Sequence, residues 1–167
     1  MSDLEPIIER SLGRFLTHVR DVGWHGRENE AVSLYAFGFL QRECFAGGPF
    51  VDATQIGIEV GAAPAPSKSA RSRVRKDLVI WPEPGMNAWF PGGTALNNPS
   101  AIMEWKVRRP DAASPRGSAH DAAWLRAHSR ANTACVCYAV ELNLCHKVPT
   151  LVVTRFREGR PTVVTFK

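Results

Sequence analysis

Two short segments decide how this chain folds: Lys76-Asp77-Leu78-Val79-Ile80-Trp81 and Ala101-Ile102-Met103-Glu104-Trp105-Lys106-Val107. Both are rich in β-branched and aromatic residues and are bounded by Pro, Gly and Asn, a pattern that predicts strands. Ile102, Met103, Trp105 and Val107 make both faces of the second segment apolar. Yet the first opens on a carboxylate, and the second carries Glu104 and Lys106. Side chains alternate along a strand, so Glu104 and Lys106 point to the same side. Burying such charge costs on the order of several kcal/mol unless something compensates. A divalent cation held by Asp77 and Glu104, with Lys106 beside it, is one compensation. The plainer reading is that Asp77 caps a strand and Glu104 pairs with Lys106 on an exposed sheet.

The rest of the chain arranges itself around these strands. Ile7, Ile8, Leu12, Phe15, Leu16 and Val19 form a helical stripe that predicts a helix over 4–22, stopped at Gly23. A second helix is expected over 28–44, with Val32, Tyr35, Ala36, Phe39 and Leu40 on its apolar face. Ile56, Ile58 and Val60 alternate as in a strand, and an Ala-, Pro- and Ser-rich stretch over 61–72 reads as a mobile loop. A second long loop, 82–100, joins the two charged strands, and a third irregular stretch covers 109–118. A helix over about 119–132 and strands over about 134–142 and 150–156 follow. The turn Glu158-Gly159-Arg160 then leads into a last strand over 162–166. This order implies an α/β fold: one domain over 1–167 with a mixed central sheet flanked by helices. Its parts are the N-terminal helix at 4–22, a core over 28–142 and a C-terminal hairpin over 150–167.

At 167 residues the chain can bury a full core. Its formal charge of +5 and pI near 9.3 lean toward an anionic partner. No run of about 18 apolar residues is present, so no membrane-spanning helix is expected. Met1-Ser2-Asp3-Leu4-Glu5 is acidic and lacks a signal peptide's basic-then-apolar order. Cys44, Cys135, Cys137 and Cys145 lack the spacing of a secreted disulfide scaffold and read as reduced thiols of a cytoplasmic protein. Neither phosphate-cradling glycine motif nor a G-x-S-x-G elbow occurs.

Cleaving a phosphodiester requires an activated water, charge neutralisation at the phosphate and help for the leaving oxygen. Mg²⁺ or Mn²⁺ supplies most of this when one or two carboxylates hold it and it retains waters. Asp77 and Glu104 are the candidate ligands, the backbone carbonyl of Trp105 can add another, and Lys106 can orient or deprotonate the attacking water. Whether Lys106 acts as a base or as an electrostatic clamp stays open at this level.

Asp77 followed by Glu104-x-Lys106 in the next strand resembles the PD-(D/E)xK nuclease superfamily, which includes restriction endonucleases and Holliday-junction resolvases. The order of helix, three strands, helix and further strands resembles that restriction-endonuclease-like core. In resolvase-like members a glutamate opens the first core helix, and Arg27-Glu28-Asn29-Glu30-Ala31-Val32 is similar to that arrangement. Glu28 shares a face with Val32 and Tyr35, which makes it the leading supporting acid, ahead of Glu30 and Glu59. The resemblance departs from the family pattern at Lys76, where proline is common, and in the long separation of Asp77 from Glu104. It implies a Mg²⁺- or Mn²⁺-dependent nuclease acting on nucleic acid, DNA foremost, with Asp77, Glu104, Glu28 and the Trp105 carbonyl at the metal. The alternative is a nuclease-like module that binds nucleic acid, or serves in a larger assembly, without cutting.

Arg71, Arg73, Arg75 and Lys76 are candidate phosphate contacts, as are Arg126 and Arg130 on one face of the later helix, flanked by His120 and His128. The first set reads equally as a solvated basic loop, and for Arg126 and Arg130 a solvated face is the commoner explanation. Trp89 and Phe90 can stack on unpaired bases or pin their loop to the core. Cys135-Val136-Cys137 with Cys145-His146 invites a zinc reading, but alternation with Val136 on a core strand favours buried free thiols. A homodimer is the natural expectation for a cut through both strands of a duplex, and the 4–22 helix is either its contact or a cover for the sheet.

Overall fold

The structure is a computed structural model that describes residues 4–62, 74–88, 97–111 and 118–166. Arg71, Arg73, Trp89 and Phe90 lie outside the described residues. Helix α1 (Leu4–Val22) buries Leu4, Ile7, Ile8, Ser11, Leu12, Phe15, Leu16 and Val19, the three-four spacing that the sequence carries. Helix α2 (Glu28–Tyr35) is shorter than the expected 28–44 helix. It widens into a π-turn over Ala36–Leu40 and tightens into a 3₁₀ turn over Gln41–Glu43. Gly38 weakens the helix there. The widened turn leaves Phe37 exposed and brings Phe39 edge-on to Phe15, ring centroids 5.7 Å apart.

Strands β1 (Ile56–Ala62), β2 (Val74–Ile80) and β3 (Ala101–Arg108) precede helix α3 (Ser118–Ala131), and β4 (Val136–Asn143), β5 (Thr150–Arg157) and β6 (Arg160–Val164) follow it. The six strands form one sheet in sequence order. Every neighbouring pair is antiparallel except β3 and β4, which run parallel because α3 crosses between them. The β5–β6 turn has Glu158 and Gly159 at φ 52° and 76°, the pair of left-handed residues that a two-residue hairpin demands.

Alternation divides the sheet residues between two layers. Leu78, Ile80, Met103, Trp105, Tyr138 and Val140 pack against α1 and α2. Val79, Trp81, Ile102, Cys137 and Phe156 pack against Leu125 of α3. Each buried residue of this size contributes about 1.5–3 kcal/mol from its apolar surface. The stripe of α1 is thus spent on the core that covers the sheet. Arg155 and Arg157 of β5 reinforce this docking through Glu5 and Glu9 of α1, with nitrogen–oxygen distances of 2.7–2.9 Å. No helix among the described residues is long and apolar enough to cross a membrane.

Candidate active site

The site grows out of a break in the sheet. Pairing between β2 and β3 runs from Ile80↔Ala101 to Leu78↔Met103 and then stops, while β3 stays paired with β4 as far as Arg108↔Asn143. A backbone N–H left without its ladder partner needs another acceptor. Asp77 provides one, its Oδ2 accepting from the Trp105 N–H at 2.7 Å. On the other side, the β1–β2 ladder passes from Ile58↔Leu78 to Val60↔Lys76 without pairing Glu59. Glu59 sits at φ 53°, a left-handed conformation that costs a non-glycine residue roughly 1 kcal/mol or more. Backbone order therefore relaxes on both sides of Asp77.

The acids and the lysine converge at this break. Glu104 is 7% exposed, and its carboxyl group lies within hydrogen-bonding reach of Asp77. Burial first, and then the Asp77 charge, push the Glu104 carboxyl up to about 8, against the pull of Lys76, whose Nζ donates to Glu104 Oε1. Lys106 Nζ donates to the Trp105 carbonyl at 2.8 Å and stands 3.5 Å from Glu28 Oε1 and 3.4 Å from Asp121 Oδ2. Burial alone would lower the Lys106 ammonium. The carboxylates of Glu28, Asp77, Asp121 and Glu104 outweigh it and hold the group above the usual lysine range. Lys106 is therefore charged, which leaves it poorly suited to take up a proton.

Glu28 opens α2 and faces Lys106, and the Val107 N–H donates to it. Burial raises its carboxyl above the ordinary value. Glu30 is occupied otherwise: its Oε2 accepts from the Arg27 N–H at 2.6 Å and caps the helix. Glu59 pairs with Arg75. Two concavities meet at the cluster. One, of about 500 Å³, is lined by Arg27, Glu28, Val32, Glu59 and Asp77. The other, of about 250 Å³, lies between β3–β5 and the start of α3 and is lined by Glu104, Lys106, Asp121, Val152 and Thr154.

The donor set fits a hard divalent cation of the Mg²⁺ kind. Such an ion takes one or two carboxylates, keeps several waters and tolerates no soft ligand, and Asp77 and Glu104 are two adjacent carboxyls beside open space. Glu28 turns toward Lys106, and the Trp105 carbonyl expected at the metal accepts from Lys106. Among the described residues no group of three or more His, Cys, Asp or Glu is placed to hold a metal ion.

Three participants escaped the sequence reading. Asp121, in the first turn of α3, is the second acid on Lys106. An acid opening the helix that follows the Glu-x-Lys strand was its available signal. Lys76 is a correction: expected to touch phosphate, it is 2% exposed, paired with Glu104 and stacked on Trp124. Where β2 and β3 part, its long side chain has room to reach the Glu104 carboxylate. Trp124 of α3 carries the Lys76 ammonium on its ring face, a contact with no local signature.

The other basic candidates are also placed. Arg75 is exposed and held by Glu59. Arg126 and Arg130 are both exposed, on the C-terminal half of α3, which lies on the β5–β6 turn. Arg126 Nε donates to the Gly159 carbonyl at 3.0 Å, and Arg130 lies against Gly159. His128 is buried against Trp124, and His120 is exposed. Cys135 and Cys137 are buried with Sγ atoms 3.9 Å apart, while Cys145 is exposed at the end of β4, so the zinc reading loses its third ligand. No family model, curated protein or solved structure matches this chain.

Proposed function

We propose that this chain is a metal-dependent nuclease of the PD-(D/E)xK, restriction-endonuclease-like kind, hydrolysing phosphodiester bonds with DNA as the favoured substrate. The convergence of Asp77, Glu104, Lys106 and Glu28, from β2, β3 and α2, carries this reading. Asp77 and Glu104 hold Mg²⁺ or Mn²⁺. When bound, that ion supplies an activated water and neutralises charge at the phosphate. Lys106 enters as an ammonium and acts as a clamp: it donates a hydrogen bond to the attacking water or to a phosphate oxygen. Glu28 and Asp121 hold it in place and keep it charged. The net positive chain favours approach of a polyanion. A duplex cut on both strands then takes two copies of the chain.

The test is direct. Purified protein degrades DNA with Mg²⁺ or Mn²⁺ and stops with EDTA, and Lys106→Ala abolishes cleavage while keeping the fold. A Lys106→Ala protein that cuts as fast as the parent overturns the mechanism. The Lys76–Glu104 ion pair favours one competing reading, a module that binds nucleic acid without cutting. Such a module retains DNA affinity in Asp77→Ala and shows no turnover at any metal concentration.

A further inference from the structure

We infer that Lys76 is a positioning residue: an aromatic stack on α3 fixes its ammonium, and the ammonium in turn fixes the Glu104 carboxylate beside Asp77. The inference rests on the acid pair being the cation site.

The stack starts at His128, which is fully buried. Its ring lies on Trp124 with centroids 4.8 Å apart and an interplanar angle of 19°. Residues 124 and 128 are one helical turn apart, so α3 presents both rings on one face. Lys76 Nζ sits 3.6 Å from the centroid of the Trp124 ring on its way to Glu104 Oε1. A cation over an indole face is drawn to the ring's negative centre, more strongly when water is excluded. Lysine is almost never this buried unless it is paired. A methionine of similar reach would fill the same space without burying a charge, and packing alone gives no reason for the ammonium.

The geometry of the two acids shows what the ammonium does. Asp77 has one oxygen held by the Trp105 N–H at 2.7 Å. Glu104 has one oxygen held by Lys76. Each carboxyl group thus has one anchored oxygen, and the two groups lie within hydrogen-bonding reach of each other. Two carboxylates aimed at a common ion need such anchors, because a free Glu side chain samples several rotamers and its orientation entropy is lost on binding. The chain anchors one acid from its backbone and the other from a buried lysine braced by aromatic rings.

The experiment is a Mn²⁺ titration followed by electron paramagnetic resonance on the parent, Lys76→Met, Trp124→Leu and Trp124→Phe proteins, with melting curves to confirm folding. Lys76→Met weakens Mn²⁺ binding roughly tenfold to a hundredfold, the usual effect of losing an outer partner of a metal ligand. Trp124→Leu weakens it less, and Trp124→Phe restores most of the affinity. DNA cleavage lost by Lys76→Met at limiting Mn²⁺ returns when Mn²⁺ is raised. Unchanged affinity in a folded Lys76→Met protein overturns the proposal, as does a cleavage loss that excess Mn²⁺ leaves in place.

A metal-free arm separates this claim from the nuclease reading. Unfolding constants of Lys76→Met, Glu104→Gln and the double variant are compared in EDTA. Coupling of about fivefold or more shows that Lys76 holds Glu104 even if the parent takes up no Mn²⁺, in which case the nuclease reading alone falls. Additive effects sink the positioning role whatever the metal does.

Discussion

Metal uptake at the acid pair is expected to expel a proton from Glu104. Burial and the neighbouring Asp77 raise this carboxyl from 4.5 to about 8. A divalent ion binds the ionised form, so at pH 7 roughly nine sites in ten must lose a proton first, which follows from one unit of difference. Each pH unit below 8 then weakens apparent affinity about tenfold, or about 1.4 kcal/mol. From pH 8 to pH 6 the loss is about fiftyfold, because half the sites are already ionised at pH 8, and above pH 8 the affinity levels off. The same shift acts on stability. Between 4.5 and about 8 the folded chain binds the Glu104 proton more tightly than the unfolded chain does. Its contribution is therefore complete below 4.5 and is lost as pH rises toward 8 in the metal-free protein. Saturating Mg²⁺ removes that alkaline loss by stabilising the ionised carboxylate. Isothermal titration calorimetry with Mn²⁺, in two buffers of different ionisation enthalpy, counts the proton directly at pH 6, 7, 8 and 9. Roughly 0.9 proton is released at pH 7, and Glu104→Gln abolishes the release. Affinity that is flat between pH 6 and pH 8, or binding without proton release at pH 7, refutes the reasoning.

Lys106→Met lowers DNA cleavage by about a hundredfold or more, the usual loss when one preorganised charge is removed from a reacting centre. Its melting temperature stays close to the parent's, because Glu28 keeps 40% of its side chain in solvent and Asp121 keeps 25%; a large melting shift would make the lysine structural. Trp105→Ala costs about 3–5 kcal/mol in urea unfolding, since the indole is fully buried with Phe15 and Tyr35 ring centroids at 5.5 and 5.2 Å; a loss below 1 kcal/mol contradicts its place in the core. Gly159→Ala costs about 1–2 kcal/mol, because φ is 76° and a Cβ there meets Arg130 Nε at 2.8 Å. An unchanged unfolding midpoint for that variant would mean the turn rearranges freely.

Periodicity made most of the fold legible. The α1 stripe, the alternation around Ile56 and the apolar strands around Asp77 and Glu104 each report burial through spacing, and burial is what sorted them into elements. The acids and Lys106 were legible for the opposite reason, as charges standing where apolar residues belong. What stayed hidden depends on long-range geometry. Lys76 adjoins a basic run and looks solvated, and only the parting of β2 from β3 turns it inward. Arg126 and Arg130 have the spacing of a basic face and are exposed, but the contact of Arg126 with Gly159 on the β5–β6 turn joins residues far apart in the chain. At the end of α2 after Tyr35, Gly38 is a local signal, while the aromatic packing against α1 is not.

The break between β2 and β3 links these observations. A continuous ladder there would satisfy the Trp105 N–H through a backbone carbonyl and leave Asp77 as an unsupported charge. With the ladder opened, the same N–H orients the Asp77 carboxylate, and the gap admits Lys76 to do likewise for Glu104. The cost is real: lost backbone pairing, a left-handed Glu59 and a carboxyl raised to about 8. Hydrophobic residues at 77 and 104 would remove the raised carboxyl but leave the Trp105 N–H and the buried Lys76 ammonium without partners. Strain of this kind persists where surrounding packing over-determines it, and here Trp105 below and Trp124 above brace the gap. On the proposed nuclease reading, two acids held side by side next to a charged lysine serve a cation and an anionic substrate, and the lost pairing is what that arrangement costs.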